Sequence, residues 1–200
     1  MEKLNLKQLL PLIEGTADYR RLAEVLGRGG RRSIVVMDAA KPYTLAALHR
    51  ELKLPMLVVS AKPERARWLQ DQLRCWGAEA ALFPEPDSLP YEHMPSDPYT
   101  TSQRVRALHS LSVDRSALAV TSAHALARIT LSPEKFHNEV HTIKQGTSID
   151  LEGTLAAWVG MGYQSEHMVE APGGFSRRGG IIDVYSPAHP MPARIELFGD

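Results

Sequence analysis

Between residues 33 and 121 the chain repeats one pattern: a short, unbroken apolar run, then a stretch whose apolar residues recur at helical spacing. The runs are residues 33–37, 54–60, 80–83 and 117–121. Short apolar, largely β-branched runs of this kind are what strands look like when both faces are covered. Residues 43–52, 64–76 and 100–111 carry the helical period between them, with Pro63 placed where the first turn tolerates a missing N–H. A leading helix is expected over residues 16–26, where Tyr19, Leu22, Ala23, Val25 and Leu26 share a face and Gly27, Gly29 and Gly30 end the run. Ser122 is expected to cap a short helix over residues 122–128. Alternation of this sort predicts an α/β layer: a parallel sheet with helices on both faces, joined by right-handed crossovers.

After Leu131-Ser132-Pro133 the pattern changes. Residues 140–144 alternate as a strand would, residues 151–161 return to helical spacing, and residues 163–169 again suggest a strand. Two β-rich runs, residues 180–185 and 194–198, then flank a loop carrying Pro187, Pro190 and Pro192, which predicts a long-looped antiparallel hairpin. The expected organisation is an α/β domain over residues 1–125 and a small α+β domain over residues 126–200.

Charge excludes one class of function. Lys plus Arg number 23 and Asp plus Glu number 23, so no overall field draws the chain to nucleic acid or to an anionic membrane. Any charged recognition must be local. A single cysteine, Cys75, rules out an internal disulfide and a multi-cysteine zinc site. No apolar run is long enough to span a bilayer, and the N-terminus lacks the apolar core of a secretory signal. A cytoplasmic protein with no membrane partner is expected.

The first apolar run ends where a phosphate-binding loop would begin in a nucleotide-binding fold. Such a loop needs glycines, whose backbone amides cradle phosphates, followed by Lys and Ser or Thr. Residues 38–44 read Asp-Ala-Ala-Lys-Pro-Tyr-Thr instead. Neither glycine is present, Pro42 and Tyr43 stand where Gly-Lys would be, and Asp38 sets a carboxylate beside the anion position. Thr44 alone matches the hydroxyl position. Lys41 does not rescue the site by a shift of register, because Pro42 removes an amide. The layer is therefore expected to be a degenerate phosphate-loop fold without catalytic residues, cofactor or metal.

The C-terminal stretch carries the most specific pattern. Phe175-Ser176-Arg177-Arg178-Gly179-Gly180-Ile181-Ile182-Asp183-Val184-Tyr185 is followed by Arg194-Ile195-Glu196-Leu197-Phe198-Gly199-Asp200. In this order the residues resemble the signature shared by the UvrB excision-repair proteins and the N-terminal UvrB-like modules of the bacterial transcription-repair coupling factors (Mfd). The missing phosphate loop favours the second kind, because UvrB proteins keep theirs. Residues 82–92, 102–111 and 119–126 also resemble that module, with Pro86 where a tryptophan is common and His124 where an arginine is common.

Several expectations follow from the resemblance. The small domain docks UvrA, and the positions matching the family's partner-binding residues are Arg178, Arg194 and Phe198. The chain is expected to be a piece of a longer ATP-driven DNA translocase that displaces stalled RNA polymerase and recruits excision repair. In that parent ATP and magnesium belong to motor domains elsewhere, and double-stranded DNA and RNA polymerase are further partners. A fragment of a UvrB-type damage-handling ATPase is the alternative. Independently of the resemblance, strand alternation predicts Arg194, Glu196 and Phe198 on one face, with Arg177 opposite to Arg178.

Other chemistry-bearing residues have ordinary explanations. Asp87, Glu92, His93 and Asp97 contain the parts of an acid–base or metal site, but five prolines from Pro84 to Pro98 mark an exposed loop. His137 and His141 have helical spacing for zinc, yet Val140, Thr142 and Ile143 favour a strand there. Cys75 has no neighbouring base, and Ser60, Ser122 and Ser176 lie in no nucleophile motif.

Overall fold

The computed structural model describes residues 5–87 and 96–198. In chain order these form α1 (Leu10–Glu14), α2 (Ala17–Gly27), α3 (Lys41–Leu52), β1 (Met56–Ser60), α4 (Pro63–Cys75), β2 (Ala81–Phe83), α5 (Pro98–Val113), β3 (Leu118–Ser122) and α6 (Ala123–Leu126). They continue with α7 (Pro133–Asn138), α8 (Leu151–Gly160), β4 (Gln164–Ser165), β5 (Gly174–Arg178), β6 (Ile181–Val184) and β7 (Ala193–Glu196). Two compact units result, one of Met1–Glu85 with Ala107–Ala127, the other of Pro86–Arg106 with Arg128–Asp200. Residues 86–106 thus group with the second unit, and the division falls within α5. No helix among the described residues is long and apolar enough to cross a membrane.

The first unit is a parallel sheet of order β1-β3-β2. Met56, Val58, Leu82, Leu118 and Val120 face one side, where they pack with helices α1 to α4 around the fully buried Leu10 and Leu73. Tyr19, Leu22 and Ala23 are the buried stripe of α2, as their spacing requires. That helix ends at Gly27 and the chain turns away at Gly29, whose φ of 74° suits glycine, while Gly30 donates its N–H to Val25 O at 2.8 Å. On the opposite side of the sheet Phe83 packs with Ala107 of α5 and Ala125 of α6. Ser122 caps α6 as expected, accepting the Ala125 N–H at 3.1 Å.

One expected strand is absent. Residues 33–37 form no ladder, and Val35 is completely exposed, with Ile34 and Met37 exposed beside it. β1 is also less buried than expected, since Leu57 and Val59 are about half exposed. The two departures belong together: β1 pairs only with β3, and its other edge, where residues 33–37 could have added a strand, is not filled by them.

The second unit is a four-stranded sheet of order β4-β5-β6-β7, parallel between β4 and β5 and antiparallel thereafter. Its core is Trp158 of α8 against Phe175, Ile182 and Val184. The indole stacks on Tyr163 at 5.7 Å and meets the Phe175 ring edge-on at 5.8 Å. Asp150 starts α8 by accepting the Gly153 N–H at 3.1 Å.

Residues 140–144 are not a strand, contrary to their alternation, and only Gln164 and Ser165 of the 163–169 stretch pair. Alternating apolar residues mark a possible face, but the available edge of β5 takes β4 alone. The expected hairpin is present: Ile181 pairs with Glu196, Ile182 with Ile195, Asp183 with Arg194 and Val184 with Ala193. Its long loop is tied back by Tyr185 Oη donating to Pro190 O at 2.9 Å and by Ser102 Oγ donating to Pro187 O at 2.8 Å.

Candidate docking face

The face is created by two turns that set the register of three strands. β5 and β6 are joined by Gly179 and Gly180, with Arg178 paired to Ile181. Gly179 has a φ of 62° and Gly180 does not share the positive φ, which is the backbone demand of a two-residue turn with glycine in first place. The β6–β7 register then follows through the proline loop.

Because paired residues share a face and neighbours along a strand alternate, every side chain is assigned. Phe175, Arg177, Ile182, Val184 and Ile195 lie on the side of α8. Ser176, Arg178, Ile181, Asp183, Arg194 and Glu196 lie on the other. Arg178 and Arg194 therefore share the outer face, and Arg177 is opposite to Arg178, as alternation predicted. Arg177 is also occupied, its Nη1 donating to Glu152 Oε1 of α8 at 2.6 Å.

The outer face alternates in sign. Arg194 donates through Nε to Asp183 Oδ1 at 2.7 Å and through Nη2 to Asp183 Oδ2 at 2.9 Å, a forked pair across β6 and β7. That hydrogen-bonded guanidinium holds the Asp183 carboxyl below the usual carboxylate range, and the carboxylate in turn raises Arg194. Arg178 Nη2 donates to His167 O at 3.2 Å, and the buried Ser176 donates to the same carbonyl at 3.1 Å. Arg194 is thus tethered across the sheet and Arg178 to the segment after β4, while both remain exposed. The ladder ends at Glu196, followed by Leu197 N–H to Gly180 O at 2.9 Å. Phe198 lies beyond the strand, which ends at Glu196, so the alternation expected to align it with Arg194 and Glu196 does not reach it; its ring is 90% exposed.

Asp183 and Glu152, the partners of two arginines, were not singled out by sequence reasoning. Asp183 stands directly opposite Arg194 only once the length of the loop has set the register. Glu152 is brought to Arg177 by the packing of α8, for which no local signal exists.

The segment 38–44 has a different fate. Asp38–Ala40 is a short 3-10 turn leading into α3, and Lys41 Nζ donates to Asp38 Oδ1 at 2.6 Å. Lys41 hydrogen bonding holds the Asp38 carboxyl below its ordinary range, with Arg65 adding to the effect from 3.4 Å. Thr44 Oγ1 turns back to Ala40 O at 3.0 Å. Tyr43 packs on Trp76 with ring centroids 4.4 Å apart, and its hydroxyl donates to Leu9 O at 2.6 Å. Cation, hydroxyl and aromatic ring are all used internally.

The remaining candidates do not converge. Asp87 and Asp97 are exposed; Asp87 accepts the Asp97 N–H, and Asp97 accepts the Thr100 N–H at 2.8 Å at the start of α5, which holds its carboxyl low. Glu92 and His93 lie outside the described residues. His137 ends its hydrogen bonding within α7, 2.7 Å from Pro133 O, and His141 is past the helix. Cys75 Sγ contacts Asp71 O within α4 at 3.4 Å. Ser60 donates to Lys62 O at 2.8 Å. Among the described residues no group of three or more His, Cys, Asp or Glu is placed to hold a metal ion.

Comparison with known proteins matches residues 141–200 to the UvrB interaction domain family. Over 196 residues the chain is 31% identical to the transcription-repair-coupling factor of Myxococcus xanthus, an alignment covering 93% of this chain and 16% of that protein. Over 192 residues it is 30% identical to the transcription-repair-coupling factor of Staphylococcus aureus, covering 95% of this chain and 16% of the relative. The chain spans 16% of the length of these relatives.

Proposed function

The chain is a UvrB-like module of the kind carried by transcription-repair-coupling factors, and we propose that its second unit docks UvrA through the outer face of β5, β6 and β7. The observation that supports this most is the register, with Arg178 and Arg194 on one exposed face and Arg177 turned to the other side. Two tethered guanidinium groups offer forked donors to carboxylates, and the exposed Phe198 offers an apolar anchor. The docked chain carries out recruitment, not chemistry. In this reading the parent protein is a cytoplasmic, ATP-dependent DNA translocase that meets double-stranded DNA and stalled RNA polymerase through parts outside this chain.

The first unit serves as a support in the same reading. In this reading the layer is a degenerate phosphate-loop fold, which the absence of loop glycines from residues 38–44 and the Lys41–Asp38 pair support. This favours the coupling-factor type over a UvrB-type ATPase fragment, which needs a working loop.

Isothermal calorimetry of the 200-residue chain with purified UvrA tests the proposal. Saturable binding that is lost on Arg178→Ala and Arg194→Ala, with unchanged thermal unfolding, is the expected result. Binding that survives both substitutions but is abolished by Arg177→Glu would place docking on the wrong face of the sheet.

A further inference from the structure

A tethered arginine raises a question that docking alone does not answer, since a carboxylate already bound to Arg194 could either compete with a partner or prepare the side chain for one. Asp183 and Arg194 are cross-strand neighbours, so their contact is built into the register. Both carboxylate oxygens are engaged, on Nε and Nη2, which fixes the guanidinium in a plane. Of the five N–H donors of an arginine this uses two and leaves three. The exposures differ in the informative direction: the Asp183 side chain is 20% exposed and that of Arg194 57%. The carboxylate lies beneath, and the cation is what an approaching surface meets.

On the premise that this face docks UvrA, we propose that Asp183 is a positioning residue, holding the Arg194 guanidinium in one orientation so that its three remaining donors are pre-arranged for a carboxylate of the partner. An unheld arginine would have to be immobilised on binding, and that ordering weakens association. Asp183 is the supporting group behind a contact residue, as side chains behind a binding constellation generally are. The chemistry required of the partner follows: it supplies an acceptor to an arginine whose Nε edge is already covered, so it approaches from the Nη1 side.

The test measures UvrA affinity by calorimetry for the intact chain and for Asp183→Asn, Arg194→Ala and the double variant. Asparagine keeps the shape but offers a single neutral acceptor oxygen in place of the fork. Asp183→Asn should weaken binding by roughly threefold to tenfold, the loss expected from freeing one side chain. In the Arg194→Ala background the same change should do nothing, because a positioning residue acts only through the group it positions.

In the unbound wild-type chain, the Arg194 Nε–H should exchange slowly with water by nitrogen-15 NMR and become fast in Asp183→Asn. This readout stands even if the variant binds poorly for reasons of folding. Tighter binding by Asp183→Asn would make Asp183 a competitor and overturn the proposal. So would an equal loss in the Arg194→Ala background, which would make it a direct contact, or fast Nε–H exchange in the wild type. Those results leave the docking reading intact, whereas undiminished binding by Arg194→Ala itself would sink the docking reading and this proposal with it.

Discussion

Asp38 with Lys41 at the start of α3, and Asp183 with Arg194 across β6 and β7, are the same aspartate–cation chemistry in two settings. At the first, the cation is an ammonium on the same short turn as its carboxylate, a second cation, Arg65, leans on that carboxylate, and Pro42 removes a backbone amide. At the second, the cation is a planar fork with donors to spare, mounted on a strand with its face exposed. In the proposed reading the same pairing accompanies the loss of an anion site in the first setting and organises a contact in the second. What decides is the number of donors left and whether the backbone nearby adds any, not the presence of the ion pair.

The largest effect should fall on the outer face. Arg178→Ala or Arg194→Ala should each reduce UvrA affinity by about 2 kcal/mol or more, roughly 30-fold, where the partner's carboxylate is left buried and unpaired. Arg178→Lys should recover only part of this, because an ammonium cannot reproduce the fork. Calorimetry showing that lysine restores full affinity would erase the distinction drawn between the two settings.

Next in size is Phe198→Ala. Burying a phenylalanine against a partner contributes about 1.5–3 kcal/mol, so an exposed ring used in docking should be worth at least roughly tenfold in affinity. Since the ring is 90% exposed in the free chain, the same substitution should leave the melting temperature unchanged. A melting temperature that fell with affinity would show that Phe198 packs within the chain instead.

Acid should affect both pairs alike and only mildly. The carboxyls of Asp38 and Asp183 are held below their ordinary range by Lys41 and Arg194 respectively. A depressed folded-state pKa means that the stabilisation is complete above the unfolded value, about pH 4, and is lost as pH falls through the folded one. Stability should therefore be insensitive to these groups at neutral pH and should fall below about pH 4. Asp38→Asn and Asp183→Asn should each flatten that acid limb slightly. Yet only Asp183→Asn should alter UvrA binding at neutral pH. Equal effects of the two on UvrA would break the comparison.

The smallest expected effect is none. ATP with magnesium should bind no more tightly than millimolar, roughly 4 kcal/mol, and should not be hydrolysed. Removing the carboxylate by Asp38→Asn should not create a site, because the glycines and their amides would still be missing. Micromolar, magnesium-dependent binding by the chain or by that variant would show that the carboxylate alone had closed the loop.

Much of this was legible in the residues. Helical spacing located α2, α3, α4, α5 and α8 to within a few positions, because a helix satisfies its own backbone and buries one stripe wherever it packs. Ser122 at the head of α6 and the proline loop between β6 and β7 were equally readable, since caps and turns are made by the residues that occupy them. Alternation was enough to set Arg177 opposite to Arg178 along β5, whereas the shared face of Arg178 and Arg194 needed the register.

Strands are different, because the other half of the ladder lies elsewhere in the chain. Residues 33–37 and 140–144 have strand-like patterns and no partner among the described residues, so the pattern was necessary without being sufficient. The Asp183–Arg194 fork needed the register, and the Arg177–Glu152 pair needed α8 to lie on the inner face. Local periodicity was thus written in the sequence alone. Which edges were filled, and which arginine was left facing outward with donors to spare, was decided only when distant segments met and their hydrogen bonds and charges had to be satisfied together.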